Sequence, residues 1–501
     1  MKKISSFDNI ASDYPDYLHD ESRVTASNAQ HLVWPENEND VIDSILFAQK
    51  ENMPITISAA RTGIVAAAVP LCGGMILSME KMNKMTPPQF DEQKNEWFML
   101  VQPGVLLQDI QSYLHSNSEN LFYPPDPTEM TAAIGGTVAT NASGARTYKY
   151  GATRNYIREL RVVLSDGNVL NIKRGKHIAD ENNEINLTAG GKTYKIPVPN
   201  YSMPKTKNCA GYFANKNTDL IDLFIGSEGT LGVITEIEIK LLKNEKERLS
   251  LLSFFSSEQK AFDFVNSIRD DEKLDVEAIE FFGKNALALL HERHKAGQSD
   301  LQDFPKCDAA IFTEFLFDEN ELDDLYERLE DKLNAAGTTT DASWAAMDFA
   351  ETENLKKFRH AIPETINQII GERKKHFRKL HKIATDLAVP NENFNTIFNF
   401  YREQLDSVGL QYAIFGHIGN NHLHVNIMPR DENEITLAKE FYKTFAEKAV
   451  ELGGTVSAEH GIGKLKKDFL KLMYGDRGIE QMKLTKQSLD PNNIFGVGNL
   501  F

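Results

Sequence analysis

The sequence predicts an α+β protein of more than one domain, whose last segment returns to the first. Three observations carry this. At 501 residues the chain exceeds the size at which one hydrophobic core stops growing, and its 41% hydrophobic content can fill more than one. From about Asn28 to Lys240, short apolar runs such as MPITIS, GGMILSM, EWFMLVQPG, LRVVLSDGNVLNI and GVITEIEIKLL alternate with Gly and Pro clusters, the pattern of strands between turns. After the charged link LLKNEKERLS the rhythm changes to strand, helix, strand, strand, helix, which suggests a ferredoxin-like α+β domain.

In chain order, LLQDIQSYLHS reads as a helix of the first domain. The polar stretch NIKRGKHIADENNEINLTAGGKTYKIPVPN reads as a surface insertion containing a hairpin at Ala189 to Lys192, because AGGK supplies the positive φ angles of a tight turn. Beyond the link, LSLLSFF, VEAIEFF and AAIFTEFLF read as strands and SSEQKAFDFVNSIRD as a helix. Leu322, Leu325, Leu329 and Leu333 form one apolar helical stripe that ends at Gly337. The last hundred residues return to Gly-rich turns. The expected division is residues 1–245, residues 246–455 with a His-rich hairpin, and a segment 456–501 packing back on the first domain.

Charge narrows the function classes. Lys and Arg number 55 against 72 Asp and Glu, a net −17 without a run of five like charges, so there is no electrostatic footprint for nucleic acid. The opening MKKISSFDNIASDY lacks an apolar signal core, and no segment approaches the roughly 18 apolar residues of a membrane span, so a cytoplasmic location is expected. Cys72, Cys209 and Cys307 are too far apart for a disulfide framework or an iron–sulfur motif and are expected in the core.

Three glycine-rich segments could cradle a phosphate or a flat ring. PPDPTEMTAAIGGTVATNASGARTYKYGATRN, Pro124 to Asn155, carries Gly135, Gly136, Gly144 and Gly151; neither G-x-G-x-x-G nor G-x-x-x-x-G-K-[ST] occurs. Upstream, ITISAARTGIVAAAVP runs a strand into a small-residue loop; downstream, GSEGTLGVITEIEIKL places Gly226, Gly229 and Gly232 before a β-branched strand. In this order and spacing the three segments resemble the FAD-binding domain of vanillyl-alcohol-oxidase-type flavoproteins over about residues 26 to 245. The resemblance implies two α+β subdomains with FAD between them. Ala59, Ala60, Arg61, Thr62, Gly63 and Ile64 would take the pyrophosphate, with Pro125, Asp126, Gly135, Gly136, Asn141, Gly144 and Gly151 along the flavin. Glu228, Gly229, Gly232, Val233 and Ile234, and the asparagine of the terminal Gly498-Asn499 pair, complete the cofactor contacts. Residues 32 to 114 contain no histidine, so covalent attachment there is unavailable and dissociable FAD is expected.

FGHIGNNHLHVN, Phe415 to Asn426, concentrates three histidines and three asparagines. Asn420-Asn421 suits a type I′ turn, which would pair Gly419 with His422 and His417 with His424, let two imidazoles converge on one ion, and put His422 and Asn426 on the same face while Gly419 leaves room. Taken alone, the hairpin could equally be a solvated corner. VSAEHGIGKLKKDFL adds Glu459 and His460, an acid and an imidazole that can divide metal ligation and proton transfer.

Both segments resemble the C-terminal domain of FAD-linked D-2-hydroxy-acid dehydrogenases, where H-x-G-D-G-N-x-H-x-N is followed by E-H-G-I-G. His417, Gly419, His424 and Asn426 are in register; Asn420, Asn421 and His422 replace the Asp-Gly-Asn portion. The resemblance implies a divalent metal, zinc or else manganese or iron, on His417, His424 and Glu459. It makes Arg359 in FRHAIPETIN the partner of the substrate carboxylate, with Lys382 in KLHKIATDLAVP a weaker candidate. His376 and His381 are expected in solvent. The implied reaction is oxidation of a D-2-hydroxy acid such as D-lactate, with His460 as proton acceptor, His422 and Asn426 nearby and hydride passing to flavin N5. Electrons would leave to a separate acceptor, whether quinone, cytochrome or electron-transfer flavoprotein; a homodimer is compatible with this reading. An oxygen-using oxidase, an alkyl-glycerone-phosphate-synthase-like member and a non-catalytic FAD-binding subunit remain alternatives.

Overall fold

In the computed structural model, which describes residues 1–118, 120–298 and 301–501, the first 243 residues build two main sheets and a separate two-stranded hairpin. His31–Trp34, Met75–Ser78 and Ile55–Ser58 pair in parallel, with Lys2–Ser5 antiparallel at the edge. Parallel neighbours need a crossover, and helix Glu38–Lys50 supplies one: Asn37 caps it by accepting from the Asp40 amide, and Val41, Ile45 and Ala48 are buried. The run after Ser58 forms no regular element and turns left-handed at Arg61 (φ 61°) and Ala66 (φ 58°). The second sheet is antiparallel, ordered Gln89–Asp91, Glu96–Val101, Val233–Lys243, Ile157–Val163, Val169–Lys173. Helix Leu107–Asn117 forms where expected.

The AGGK turn also forms, pairing Ala189 with Lys192 through Gly190 (φ 55°) and Gly191 (φ 78°). The hairpin is not, however, a free surface excursion. Ile185, Leu187, Tyr194 and Ile196 alternate onto one buried face, and the long helix Lys467–Leu489 lies against it, with Thr485 Oγ1 donating to Pro197 O at 2.7 Å. Polar composition hid the period of two that marks a half-buried strand.

From Glu247 onward the chain builds one larger sheet. Its first four strands lie in the order Trp344–Ala346, Glu247–Phe255, Ala309–Phe317, Asp275–Gly283, which is the fourth-first-third-second order of the ferredoxin-like α+β arrangement. Tyr412–His417 and His422–Ile427 extend it, and Ile383–Ala384 and Leu387–Ala388 pair with the latter. Each face has its own core. On one side Phe281, Phe315 and the helix Leu322–Ala335 pack together through Leu325, Leu329 and Leu333, and Gly337 (φ 73°) ends the stripe. On the other, Phe282, Phe312 and Phe358 of helix Phe349–Lys374 meet. Burying one such side chain contributes about 1.5–3 kcal/mol.

The C-terminal segment closes against the first sheet: the Ile55 amide donates to Ile494 O at 2.6 Å and the Gly496 amide to Ile55 O at 3.0 Å. Among the described residues no helix is long and apolar enough to cross a membrane. The cysteines depart from expectation: Cys209 is buried, but Cys72 is exposed, because the Pro70–Gly74 turn that carries it lies at the surface, and Cys307 is intermediate.

Candidate active site

The histidine hairpin forms in a register different from the one its asparagines suggest. His417 pairs with His422, Gly416 with Leu423 and Phe415 with His424, around a four-residue loop. Ile418–Asn420 makes a single 3₁₀ turn and Asn421 alone is left-handed (φ 52°). Two contacts account for this. The Ile418 side chain is buried, and the Arg269 guanidinium gathers the carbonyls of Ile418 and Gly419 (3.1 Å) with Asn421 Oδ1 (2.9 Å), holding the loop open. The glycine that leaves room is Gly416 (φ 125°), where a Cβ would strike the His424 ring; Gly419 packs on Tyr148.

Strand alternation still sends His422, His424 and Asn426 to one face, and the pairing adds His417. The three rings form a triangle with centroid separations of 5.4, 5.4 and 4.6 Å. Glu459 completes a group of four donors that all lie within 4.8 Å of one another: His417, His422, His424 and Glu459. His417 Nδ1 meets Glu280 Oε1 at 2.6 Å while its Nε2 lies 3.2 Å from Glu459 Oε1. Lys207 pairs with the same Glu459 oxygen and donates to Gly144 O at 3.2 Å. This donor set fits a divalent ion: two rings are backed by carboxylates, and the buried His422 Nδ1 has no hydrogen-bond partner among the described residues.

Electrostatics follow from burial and these contacts. Burial would lower His417, but Glu280 and Glu459 override it and hold the imidazole up at about 9. Burial pushes His422 down to about 4, and burial beside His422 and His417 holds His424 well below its ordinary value. Burial would raise Glu459, yet His417 and Lys207 keep it well below the usual carboxylate range.

Asp386 was not singled out in the sequence, though the KLHKIATDLAVP segment that holds it was. It lies between the two short strands that pair in succession along one edge of His422–Ile427. Its carboxylate accepts from Ser457 Oγ (2.6 Å), Lys466 Nζ (2.8 Å) and the amides of Glu459 and His460 (both 3.1 Å). It also stands 3.3 Å from His460 Nδ1 and 3.2 Å from His422 Nε2. Burial would raise it, but His460 and Lys466 hold it far below the normal range. The EHGIG turn is fixed from its other side by Glu228, whose carboxylate accepts from the amides of Ile462 (2.7 Å) and Gly463 (2.6 Å); a Cβ on Gly461 would collide with it. Burial raises Glu228 to about 7.

Between the glycine-rich segments lies a cavity of about 340 Å³. Its wall includes Ala59, Ala60, Arg61, Thr62, Gly63 and Ile64, then Gly135 and Gly136, then Glu228, Gly229, Gly232 and Ile234. Glu459 and His460 also line it. Among the described residues the amides of residues 60–64 donate to no other residue and the buried Ser58 hydroxyl has no partner, and a Cβ on Gly136 would meet nothing within 4 Å. Free donors beside a slot of small residues fit a dinucleotide. Other expected cofactor residues frame the cavity without lining it. Gly144 packs on the Asp126 carbonyl, Gly151 turns against Asn155, and Asn141 caps helix Ile134–Thr140 and accepts from the Arg154 amide. Pro125 is buried beside them and Val233 faces the core. Asn499, beside Gly498, donates to Glu228 O (2.9 Å) and Ala67 O (3.2 Å).

Arg359 reaches the site through Glu280, its Nε 3.2 Å from Oε2 of the carboxylate whose other oxygen holds His417. Burial opposes the charge on Arg359, but Glu280 and Asp126 stabilise it; Arg359 and His417 keep Glu280 at about 2. Asp126 faces Arg146 at 3.7 Å, and burial raises it to about 6. Arg146 also bridges Glu277 (3.4 Å) and Glu314 (3.2 Å), and a β-bulge at Glu277 brings that carboxylate to the same side. A charge inside the apolar runs VEAIEFF and AAIFTEFLF was the available signal for Glu277, Glu280 and Glu314. Asn426 is buried opposite Ala413 and Ala384. Lys382 is lowered by burial and by Arg23, and among the described residues it forms no hydrogen bond or ion pair with the histidines. His376 is exposed, and His381 contacts its own neighbour Lys379.

Comparisons with known proteins agree with this layout. Residues 244–500 match the family model described as FAD linked oxidases, C-terminal domain, and residues 29–173 match the FAD binding domain. A D-lactate dehydrogenase of Anaerostipes hadrus is 28% identical, covering 97% of this chain and 92% of its own. The glycolate oxidase subunit GlcD of Bacillus subtilis is 27% identical over 97% and 92%, and a D-2-hydroxyglutarate dehydrogenase of Stutzerimonas stutzeri is 27% identical over 94% and 90%. A solved alkyldihydroxyacetonephosphate synthase shares the fold with a TM-score of 0.61 at 18% identity, over 95% of this chain and 76% of that one.

Proposed function

The chain belongs to the FAD-linked oxidase family, as an oxidoreductase of the D-lactate, glycolate and D-2-hydroxyglutarate dehydrogenase type, and we propose that it oxidises a D-2-hydroxy acid to the 2-oxo acid with metal assistance. The observation that carries this reading is the shared wall: Glu459 belongs at once to the cavity that suits FAD and to the group of donors that suits a cation, and His460, beside it in that wall, stacks on His424 with ring centroids 5.8 Å apart. A small anion seated there would touch both.

The chain's own groups divide the work. Asp386 beside Nδ1 favours the His460 tautomer protonated on that nitrogen, leaving Nε2 bare to accept the hydroxyl proton. Arg359, with Nε held by Glu280, offers its terminal nitrogens to the substrate carboxylate as a planar fork. His417, His424 and Glu459 would hold the ion, zinc, manganese or iron, and the loop at residues 59–64 the pyrophosphate of non-covalently bound FAD. When bound, the flavin supplies the hydride acceptor and the cation the positive charge that acidifies the hydroxyl. Electrons then pass to a separate acceptor in the cytoplasm.

The test is anaerobic mixing of the purified flavoprotein with D- and L-2-hydroxy acids of increasing size while following flavin absorbance. Bleaching by at least one D-acid and not by its L-enantiomer is expected. A flavin left oxidised by the whole panel would refute the assignment.

A further inference from the structure

We propose that His422 is a fourth protein ligand of the cation site, so that the ion is held by three imidazoles and one carboxylate and must be one that accepts six ligands. This rests on the metal-assisted reading above and deepens it by naming the class of ion. His422 faces His417 directly across the hairpin and shares its face with His424. Its side chain is 0% exposed, and while Nε2 faces Asp386, Nδ1 makes no hydrogen bond among the described residues. A buried imidazole nitrogen left unpaired is uncommon and costly.

The two nitrogens point to different tasks. Nε2 stands 3.2 Å from Asp386 Oδ1, while Nδ1 stands 3.9 Å from Glu459 Oε1. His417 repeats this plan with its own carboxylate, Nδ1 on Glu280 and Nε2 toward the same Glu459 oxygen. Two rings that each turn one nitrogen to a carboxylate and the other to a common centre have the arrangement in which outer carboxylates orient metal-bound imidazoles. The donors lie within 4.8 Å of one another, close to the roughly 4.2 Å that opposite donors span at metal–nitrogen distances of about 2.1 Å.

The donor count has a chemical consequence. Four protein donors complete the coordination of a tetrahedral zinc ion. A 2-hydroxy acid presenting carboxylate and hydroxyl together needs two further places. The bound ion must therefore expand beyond a tetrahedral shell, which Mn²⁺, Fe²⁺, Co²⁺ and Ni²⁺ do more readily than Zn²⁺.

The experiment titrates metal-stripped, FAD-loaded protein with Co²⁺, reading affinity by calorimetry and coordination number from the intensity of the visible cobalt bands. His422→Asn is expected to bind Co²⁺ at least about tenfold more weakly than the wild type at unchanged flavin content. Equal affinity in the two chains would overturn the fourth ligand and leave a three-donor site standing. A wild type that binds no Co²⁺ would remove the metal-assisted reading as well. Intense four-coordinate bands would overturn the six-ligand requirement. Should the variant fail to fold, pulsed EPR of the Mn²⁺-loaded wild type counts coordinated imidazoles directly: three are expected, and two would refute the proposal.

Discussion

Asp386 Oδ2 stands 3.3 Å from Nδ1 of His460. The same carboxylate receives Lys466, the Ser457 hydroxyl and two backbone amides, so it holds one ring orientation as well as one tautomer. Asp386→Asn keeps the volume but presents an amide that can donate where only acceptance is wanted. Turnover should fall about 10- to 100-fold, the usual cost of removing a partner behind a working imidazole. Loss of a buried ion pair should lower the melting temperature too, by an amount matching about 3–5 kcal/mol. Flavin content and kcat measured together are the check, and an unchanged kcat would detach Asp386 from His460.

Arg359 gives a prediction about geometry at constant charge. Arg359→Lys keeps a cation near Glu280 but replaces a planar fork with a point charge. Hydrogen bonds to charged groups contribute about 1.5–3 kcal/mol, so kcat/KM for a 2-hydroxy acid should drop roughly 10- to 100-fold. Steady-state kinetics with flavin occupancy confirmed provide the measurement. A variant with wild-type kcat/KM would mean that the guanidinium serves only its carboxylate neighbours.

Lys464 ties the EHGIG turn to the cavity loop, donating to Asn499 Oδ1 at 2.7 Å and to the carbonyls of Ala67 (3.0 Å) and Ala66 (3.3 Å). Burial lowers it to about 8 from its ordinary 10.5, against the pull of Glu228 and Asp20. Between these two values the unfolded chain binds more protons than the folded one, so this residue makes stability rise with pH across that window. Its contribution is fully present above 10.5 and is lost as pH falls through about 8. Melting temperatures of the wild type minus those of Lys464→Met should therefore increase from pH 8 to 10.5. A flat difference would show that the acceptors keep the ammonium charged with little disturbance.

The parts of this molecule that were legible in the sequence are those set by local rules. Leu325, Leu329 and Leu333 recur at the helical period, AGGK turns where glycine must, and alternation alone puts His422, His424 and Asn426 on one face. The register of that hairpin was not legible. It depends on Ile418 finding a core and on Arg269, about 150 residues upstream, gathering the loop carbonyls. Asp386 and Glu280 escaped for the same reason. A lone acid in KIATDLAVP or VEAIEFF carries no local sign of its partner, and only the pairing of distant strands brings each against a histidine. Gly144 and Asn141 stand beside the cavity wall as its frame, Gly144 packing on the Asp126 carbonyl and Asn141 capping helix Ile134–Thr140.

Gly135 and Gly136 sharpen that distinction into a test. A Cβ on Gly135 would strike Pro103 at 2.5 Å, so this glycine is required by packing whatever the cavity holds. A Cβ on Gly136 meets nothing within 4 Å and projects into the space that its neighbours enclose. The residue sits in the first turn of helix Ile134–Thr140, where replacing glycine costs the backbone nothing. Gly136→Val should therefore fold with an unchanged melting temperature when both proteins are stripped of flavin, yet bind FAD at least tenfold more weakly. Gly135→Val should instead lose stability with or without flavin, since overpacking typically costs about 1–3 kcal/mol. Flavin fluorescence titration and thermal melts of the two apoproteins separate the cases. If Gly136→Val retained full FAD affinity, the flavin would have to lie elsewhere than along this wall.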